Sequence, residues 1–326
     1  MRLLIGISLL VMVCGCSART RCPPNAGGPT VWEINIPWTV GPLALRDDRF
    51  QRVRADPCIS WDSVATNHLT LYASHNTYAA KHFAQFSAQA NRIWIADLRL
   101  ANGADTVYPH HVRIFYFDTP EEYWRVVGLR GTGASFPEAQ LLVALAPAGD
   151  TATDLAHELE HVISMTLWGL NQPQDTWQRE GLGVLASADE WPFSIDEIAA
   201  QARRDGDGRK FEDLAGPAFS AGDRMARFRA YMFSASFVQF LLREHGTASF
   251  RALWQRGSSA APEIYGVALP ELEAQWTAAL SHVTLPASGI DLDKVQKGVG
   301  AGAAARAKAT NRSDSRRAPT RVSRPD

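Results

Sequence analysis

Cysteine is scarce in this chain, with four among 326 residues and three of those before residue 23. No aromatic residue follows Pro286, and the net charge is only −1. No segment repeats with a period of 20 to 50 residues, which argues against a solenoid or a propeller. The apolar run at the N-terminus, Leu3 to Val13, has 11 residues, whereas a helix needs roughly 20 to cross the hydrocarbon of a bilayer. A retained membrane helix is therefore not expected. The rest of the composition, 46% hydrophobic and 21% charged, is that of a globular chain able to bury one fairly large domain or two modest ones.

Met1-Arg2, the short apolar run and Cys14-Gly15-Cys16-Ser17 have the order of a signal peptide, charged, then apolar, then small. Val13-Cys14-Gly15-Cys16 also resembles a bacterial lipobox, in which the last cysteine carries lipid, although Cys14 stands where Ala, Ser or Thr is usual. That resemblance implies a leader over 1–16, a membrane anchor at Cys16 and an exported protein of the cell envelope. Ser17 after the cysteine favours an outer-membrane lipoprotein facing the periplasm; the alternative is ordinary cleavage near Ser17 and a soluble periplasmic or secreted chain. Cys22 and Cys58 would then remain, either as a disulfide in an oxidising compartment or as two free thiols.

Charge is unevenly placed. Residues 294–326 hold nine Lys or Arg against Asp314 and Asp326, a segment of +7 on a body of −8. Residues 286–326 are rich in Gly, Ala, Ser and Arg and are expected to be disordered. Such a tail suits either plain solvation or contact with anionic envelope polymers, and an exported protein is not expected to have nucleic acid as its partner.

Residues 17–60 read as an irregular lead-in with a strand near Val31 to Ile36. A folded domain is expected over 61–285. Leu69 and Leu71 alternate as in a strand, and Asn76 to Ala96 has helical spacing. Val112 to Phe117 is a β-branched and aromatic strand, followed by a helix start at Asp118-Thr119-Pro120. Leu141 to Leu145 is a further strand. Helices are predicted at about 151–168, 177–188, 194–204, 225–245, 247–256 and 269–282. Strands first and helices later predict the α+β class.

His157-Glu158-Leu159-Glu160-His161 is an H-E-x-x-H motif. Histidines four apart leave one face of a helix together and can share a metal ion. Glu158 follows the first histidine by about 100° around the helix, so its carboxylate can lie beside the metal and act on water. Thr151 to Asp154 fits a capping box, and Leu155, Leu159, Val162, Ile163 and Leu167 form an apolar stripe. A chance match arises in roughly one chain in a hundred of this composition, so a third ligand is needed, and two histidines with one glutamate are a standard catalytic zinc set.

Trp177-Gln178-Arg179-Glu180-Gly181-Leu182-Gly183 lies downstream, with 18 residues between His161 and Glu180, and supplies that candidate as Glu180. W-x-x-E-G at this distance after H-E-x-x-H resembles the gluzincin zinc metallopeptidases of the peptidase MA-like superfamily, nearest in wording to the aminopeptidase N-like family. The resemblance implies a zincin-like (thermolysin-type) catalytic domain with a small sheet and a mostly helical lobe. It also implies a Zn²⁺ held by His157, His161 and Glu180, with Glu158 as the catalytic base. Gly181 and Gly183 are read as letting the Glu180 helix approach the histidine helix.

Tyr231, opening Tyr231-Met232-Phe233-Ser234-Ala235, matches the position of the family's oxyanion-stabilising tyrosine, although Ser234 replaces a glycine; a plain core role is the alternative. The Leu141–Leu145 strand stands where the family has its substrate-binding edge strand. The G-x-M-E-N motif that receives a free amine is absent, and Glu138 lacks that context. The expected activity is hydrolysis of a peptide or protein substrate by an enzyme that is not an aminopeptidase. Two alternatives stay open: an envelope binding or assembly protein with little hydrolytic activity, and a hydrolase of a non-protein envelope amide.

Overall fold

The computed structural model describes residues 30–34, 36, 39–102, 108–146, 154–172, 175–214, 218–219 and 222–297. Cys14, Cys16, Cys22 and residues 298–326 lie outside it, so lipidation and most of the basic tail are not described. In chain order the elements are α1 (Asp48–Arg54), β1 (Trp61–Ala65), β2 (Leu69–Ser74), α2 (Tyr78–Lys81), α3 (Phe83–Asn102) and β3 (Val112–Phe117). They continue with α4 (Pro120–Val127), β4 (Gly133–Phe136), a 3₁₀ turn (Pro137–Ala139), β5 (Leu141–Leu145), α5 (Leu155–Trp168), α6 (Thr176–Ala186) and α7 (Ile195–Arg204). The last are α8 (Arg224–Arg256), α9 (Ala261–Tyr265), α10 (Leu269–Ser281) and α11 (Leu292–Lys297).

The strands form one sheet in the order β1-β2-β3-β5-β4. β2, β3 and β5 are parallel, with β1 and β4 antiparallel at the two edges. Parallel neighbours require a crossover, which α3 supplies between β2 and β3. Side chains alternate along the central strands and divide the core in two. Ile114, Tyr116, Leu142 and Ala144 join the cluster shared with α3 and α5. Phe115, Phe117, Leu141 and Val143 join the one under α4 and α1. The second half of the chain is helical, packed around the buried Phe233, Phe237, Trp254 and Trp276. A small sheet followed by helices is the mixed arrangement that strands-then-helices led one to expect.

Several details differ from the sequence reading. Leu141–Leu145 is not an edge strand. It lies between β3 and β4, because five apolar residues in a row are stable only where both faces are covered, and the open edge belongs to the shorter β4. Residues 31–34 form a turn rather than a strand, held by Val31 N and Trp32 N donating to the carbonyls of Val126 and Val127 (both 2.9 Å). Within the supposedly irregular lead-in, α1 is a helix whose C-terminal end anchors Asp56, buried between Arg52 (3.1 Å) and Arg125 (2.7 and 3.0 Å). Cys58, two residues on, is disulfide-bonded, and its partner lies outside the described residues.

The disorder expected from 286 begins too early. Ile290, Leu292 and Val295 are buried, and Ile290 N donates to Gln201 Oε1 (2.9 Å), seating α11 on α7. α5 begins at Leu155 with Asp154 as an N-cap that makes no side-chain capping bond; Thr151 of the expected capping box lies outside the described residues. Gly246 breaks α8 at φ 79°, a left-handed value a glycine adopts without strain, and His245 ends the first segment.

Candidate metal centre

α5 presents His157 and His161 toward α6 because its other face is fixed in the core by Leu155, Leu159, Val162 and Ile163, all fully buried. α6 brings Glu180 to them. Its Oε2 lies 3.4 Å from His157 Nε2 and 3.6 Å from His161 Nε2. The two imidazoles are 4.5 Å apart at 79°. The donor atoms of His157, His161 and Glu180 all lie within 4.8 Å of one another, and these three form the one such group of His, Cys, Asp and Glu among the described residues. The side chains could hold a metal ion.

Two glycines set the depth of α6, one on each side. A Cβ on Gly183 would lie 2.8 Å from His161 Cε1 and 2.9 Å from His157 Cε1, and one on Gly181 would lie 2.6 Å from the Ser234 carbonyl oxygen. Gly183 thus admits the histidine helix, while Gly181 admits α8. The expectation that both served the histidine helix is corrected for Gly181.

The carboxylate of Glu180 is divided between its neighbours. Arg179 donates to Oε1 from Nε (3.0 Å) and from its terminal nitrogen (2.9 Å), so Oε2 is left for the histidines. Although burial works against ionisation, bonding to the two histidines holds the Glu180 carboxyl well below the usual range. Burial pushes His157 down, but its bond to Glu180 and the charges of Glu158 and Glu180 outweigh that and raise it to about 9. His161 is lowered to about 4 by burial and by the charge on His157. The opposite shifts favour a proton on His157 over one on His161.

Glu158 packs on the start of β4, where a Cβ on Gly133 would lie 2.9 Å from its Cγ. Burial raises its carboxyl to about 7, against the opposing charge of His157 and the Ser135 hydroxyl bonded to it. Asp154 accepts from the Thr132 hydroxyl and adds its charge to those raising His157. Glu160 is fully buried behind His161, its Oε2 3.8 Å from Nδ1 and accepting from Ser164 Oγ at 3.3 Å. Burial raises Glu160 to about 8, and its charge adds to the burial that raises Asp97 on α3.

Tyr231 reaches the same place from α8, its ring 6.2 Å from that of His157 and 5.0 Å from that of Phe219. Burial first, then the charges of Glu180 and Glu158, push its phenol up, so it remains a hydroxyl donor. His157, Glu158, His161, Glu180 and Tyr231 all line one cavity of about 630 Å³. The other described histidines stand apart: His68 stacks on Trp94 (5.2 Å), His75 meets Asp62 (2.9 Å) and His111 meets Thr70 (2.7 Å).

Sequence reading did not find the rest of the cleft. β4 lines it with Gly133, Ala134, Ser135 and Phe136, and no strand pairs with its outer edge among the described residues. The signal was a four-residue run opened by glycine, too short to read. Arg179 carries no signal of its own beyond its place in the Trp177–Gly183 run. Glu138 does line the cavity, but its carboxylate is taken by Arg49 Nε at 2.6 Å. No protein-family model matches the chain, and a search of curated proteins found nothing similar.

Proposed function

We propose that this protein is a zinc-dependent peptide-bond hydrolase with a zincin-like catalytic domain of the gluzincin type. The observation that carries this reading is the convergence of His157, His161 and Glu180 from two helices, with Glu158 in the same cavity. The separations of 3.4 and 3.6 Å from Glu180 Oε2 to the imidazole nitrogens are close to the spacing of about 3.3 Å between neighbouring donors of a tetrahedral zinc with bonds of about 2.0–2.1 Å. Two imidazoles and one carboxylate leave a fourth direction, toward the cavity, as catalytic zinc sites do.

Bound zinc would supply Lewis acidity to a carbonyl and acidify water. The remaining work belongs to side chains of this chain. Glu158 accepts the proton of the attacking water and returns it to the departing amine. Tyr231 donates its hydroxyl to the carbonyl oxygen as negative charge grows there. Arg179 keeps Glu180 turned toward the histidines, and the open edge of β4 offers backbone groups to an extended peptide. The N-terminal sequence supports an exported protein of the bacterial cell envelope, anchored through Cys16. No helix among the described residues is long and apolar enough to cross a membrane.

The test is cleavage of a peptide library by zinc-loaded wild type and by Glu158→Gln. Glu158→Gln is expected to keep zinc and to lose about 10²–10⁴-fold in rate, the usual worth of a positioned acid–base group. Equal rates in the two proteins would overturn the reading.

A further inference from the structure

The wall of the cavity opposite the metal centre comes from an unexpected part of the chain. Trp32, Ile36, Leu43 and Ala44, all upstream of the first helix, line it together with Phe136 and Leu170 of the body. This N-terminal strap is fastened at three places across the cleft. Val31 and Trp32 bond to the end of α4, Gly41 and Leu170 exchange a pair of backbone bonds (3.0 and 2.8 Å), and Arg46 N donates to the Glu138 carbonyl (2.7 Å). Arg49 adds a fourth link, donating to Val31 O (2.6 Å), pairing with Glu138 and lying 4.5 Å over the Phe136 ring. Cys58 is disulfide-bonded, and its partner lies outside the described residues.

The chemistry of the two walls differs. The metal side holds His157, Glu158, His161, Arg179 and Glu180, whereas the facing wall is apolar at Trp32, Ile36, Leu43, Ala44 and Phe136 and has its lining charges paired, Arg46 with Asp48 and Arg49 with Glu138. Three carboxylates line the cavity: Glu138 is bound by Arg49, Glu180 by Arg179 and the histidines, and Glu158 is the base. A substrate ammonium finds no free acid among the described residues. Trp32, meanwhile, is 57% exposed at the rim, a large apolar surface left facing water until something covers it.

We propose that Trp32, Ile36, Leu43 and Ala44 of this strap are part of the substrate-binding site and select an extended peptide by a large apolar side chain, received between them and the metal centre. This deepens the metallopeptidase reading and rests on it. Selection by such a wall is independent of turnover, so binding and hydrolysis can be separated experimentally.

The experiment is calorimetric titration of the zinc-loaded full-length protein with two peptide hydroxamates, one carrying a leucyl and one a glycyl side chain, alongside cleavage of the corresponding peptides. Wild type is expected to prefer the leucyl probe by about tenfold or more, since even one methylene in an apolar pocket is worth about that. In Trp32→Ala and in Leu43→Ser the preference is expected to fall several-fold while zinc stays at one per chain. Trp32 is too exposed for its loss to threaten folding, and Leu43→Ser is a second, independent probe. A protein that binds the two probes equally, or neither, overturns the inference, as does an unchanged preference in both variants. A preference that depends on Trp32 and Leu43 without any cleavage would keep the strap's role and overturn the hydrolytic reading instead.

Discussion

Gly183 and His161 are packed so that a Cβ on the glycine would lie 2.8 Å from His161 Cε1, closer than real Cβ atoms come to a neighbour. The contact fixes how near α6 stands to α5, and with it the reach of Glu180 to both imidazoles. In Gly183→Ala the added methyl meets ligand rings, so the expected result is zinc affinity reduced by about 10–100-fold, the range seen when ligand orientation is disturbed. Gly181→Ala meets the Ser234 backbone instead. It is expected to destabilise the fold by about 1–3 kcal/mol through overpacking, partly offset by the roughly 1 kcal/mol helix preference of alanine. Zinc titration and urea denaturation of the two variants separate these outcomes.

Tyr231 is expected to act on rate rather than on metal. Its phenol is held protonated by burial and by the charges of Glu180 and Glu158, and Tyr231→Phe removes the hydroxyl while keeping the ring beside His157 and Phe219. The expected loss is about 10²–10³-fold in kcat, as for one oxyanion donor, with zinc stoichiometry unchanged. If kcat is unchanged, the tyrosine is a core residue.

Metal binding should depend on pH through His157. In the metal-free protein this imidazole is raised to about 9 by Glu180 and Glu158, despite burial. A ligating imidazole must be neutral, so binding expels the proton. The sign follows: affinity rises with pH and levels off above about 9, by up to about tenfold per unit below that. Calorimetry at pH 7 in two buffers of different ionisation heat is expected to show about one proton released per zinc from this histidine, with a further fraction from Glu158. Zinc binding with no proton release would contradict the arrangement of His157, His161 and Glu180.

Much of this centre was legible because its determinants are local. His157 and His161 share a helix face by spacing alone, and the helices that carry the ligands and Tyr231 follow apolar periodicity. The interior place of β5 was missed: Leu141-Leu142-Val143-Ala144-Leu145 has no polar alternation, the mark of a strand covered on both faces, but the family resemblance pointed to an edge strand there. What stayed hidden depends on contacts distant in sequence. Nothing local says that Gly133-Ala134-Ser135-Phe136 ends a sheet beside Glu158, or that Trp32 and Leu43 face the same cavity. Ile290, Leu292 and Val295 are too sparse among glycine and lysine to announce that α11 docks on α7.

The central claim is that His157, His161 and Glu180 together hold one zinc ion, and its most direct test is metal analysis of natively purified protein. One zinc per chain is expected in the wild type, with loss in His161→Ala and in Glu180→Ala that remain folded by circular dichroism. A metal-free wild type that also fails to take up added zinc, or variants that retain zinc at full stoichiometry and affinity, would contradict it.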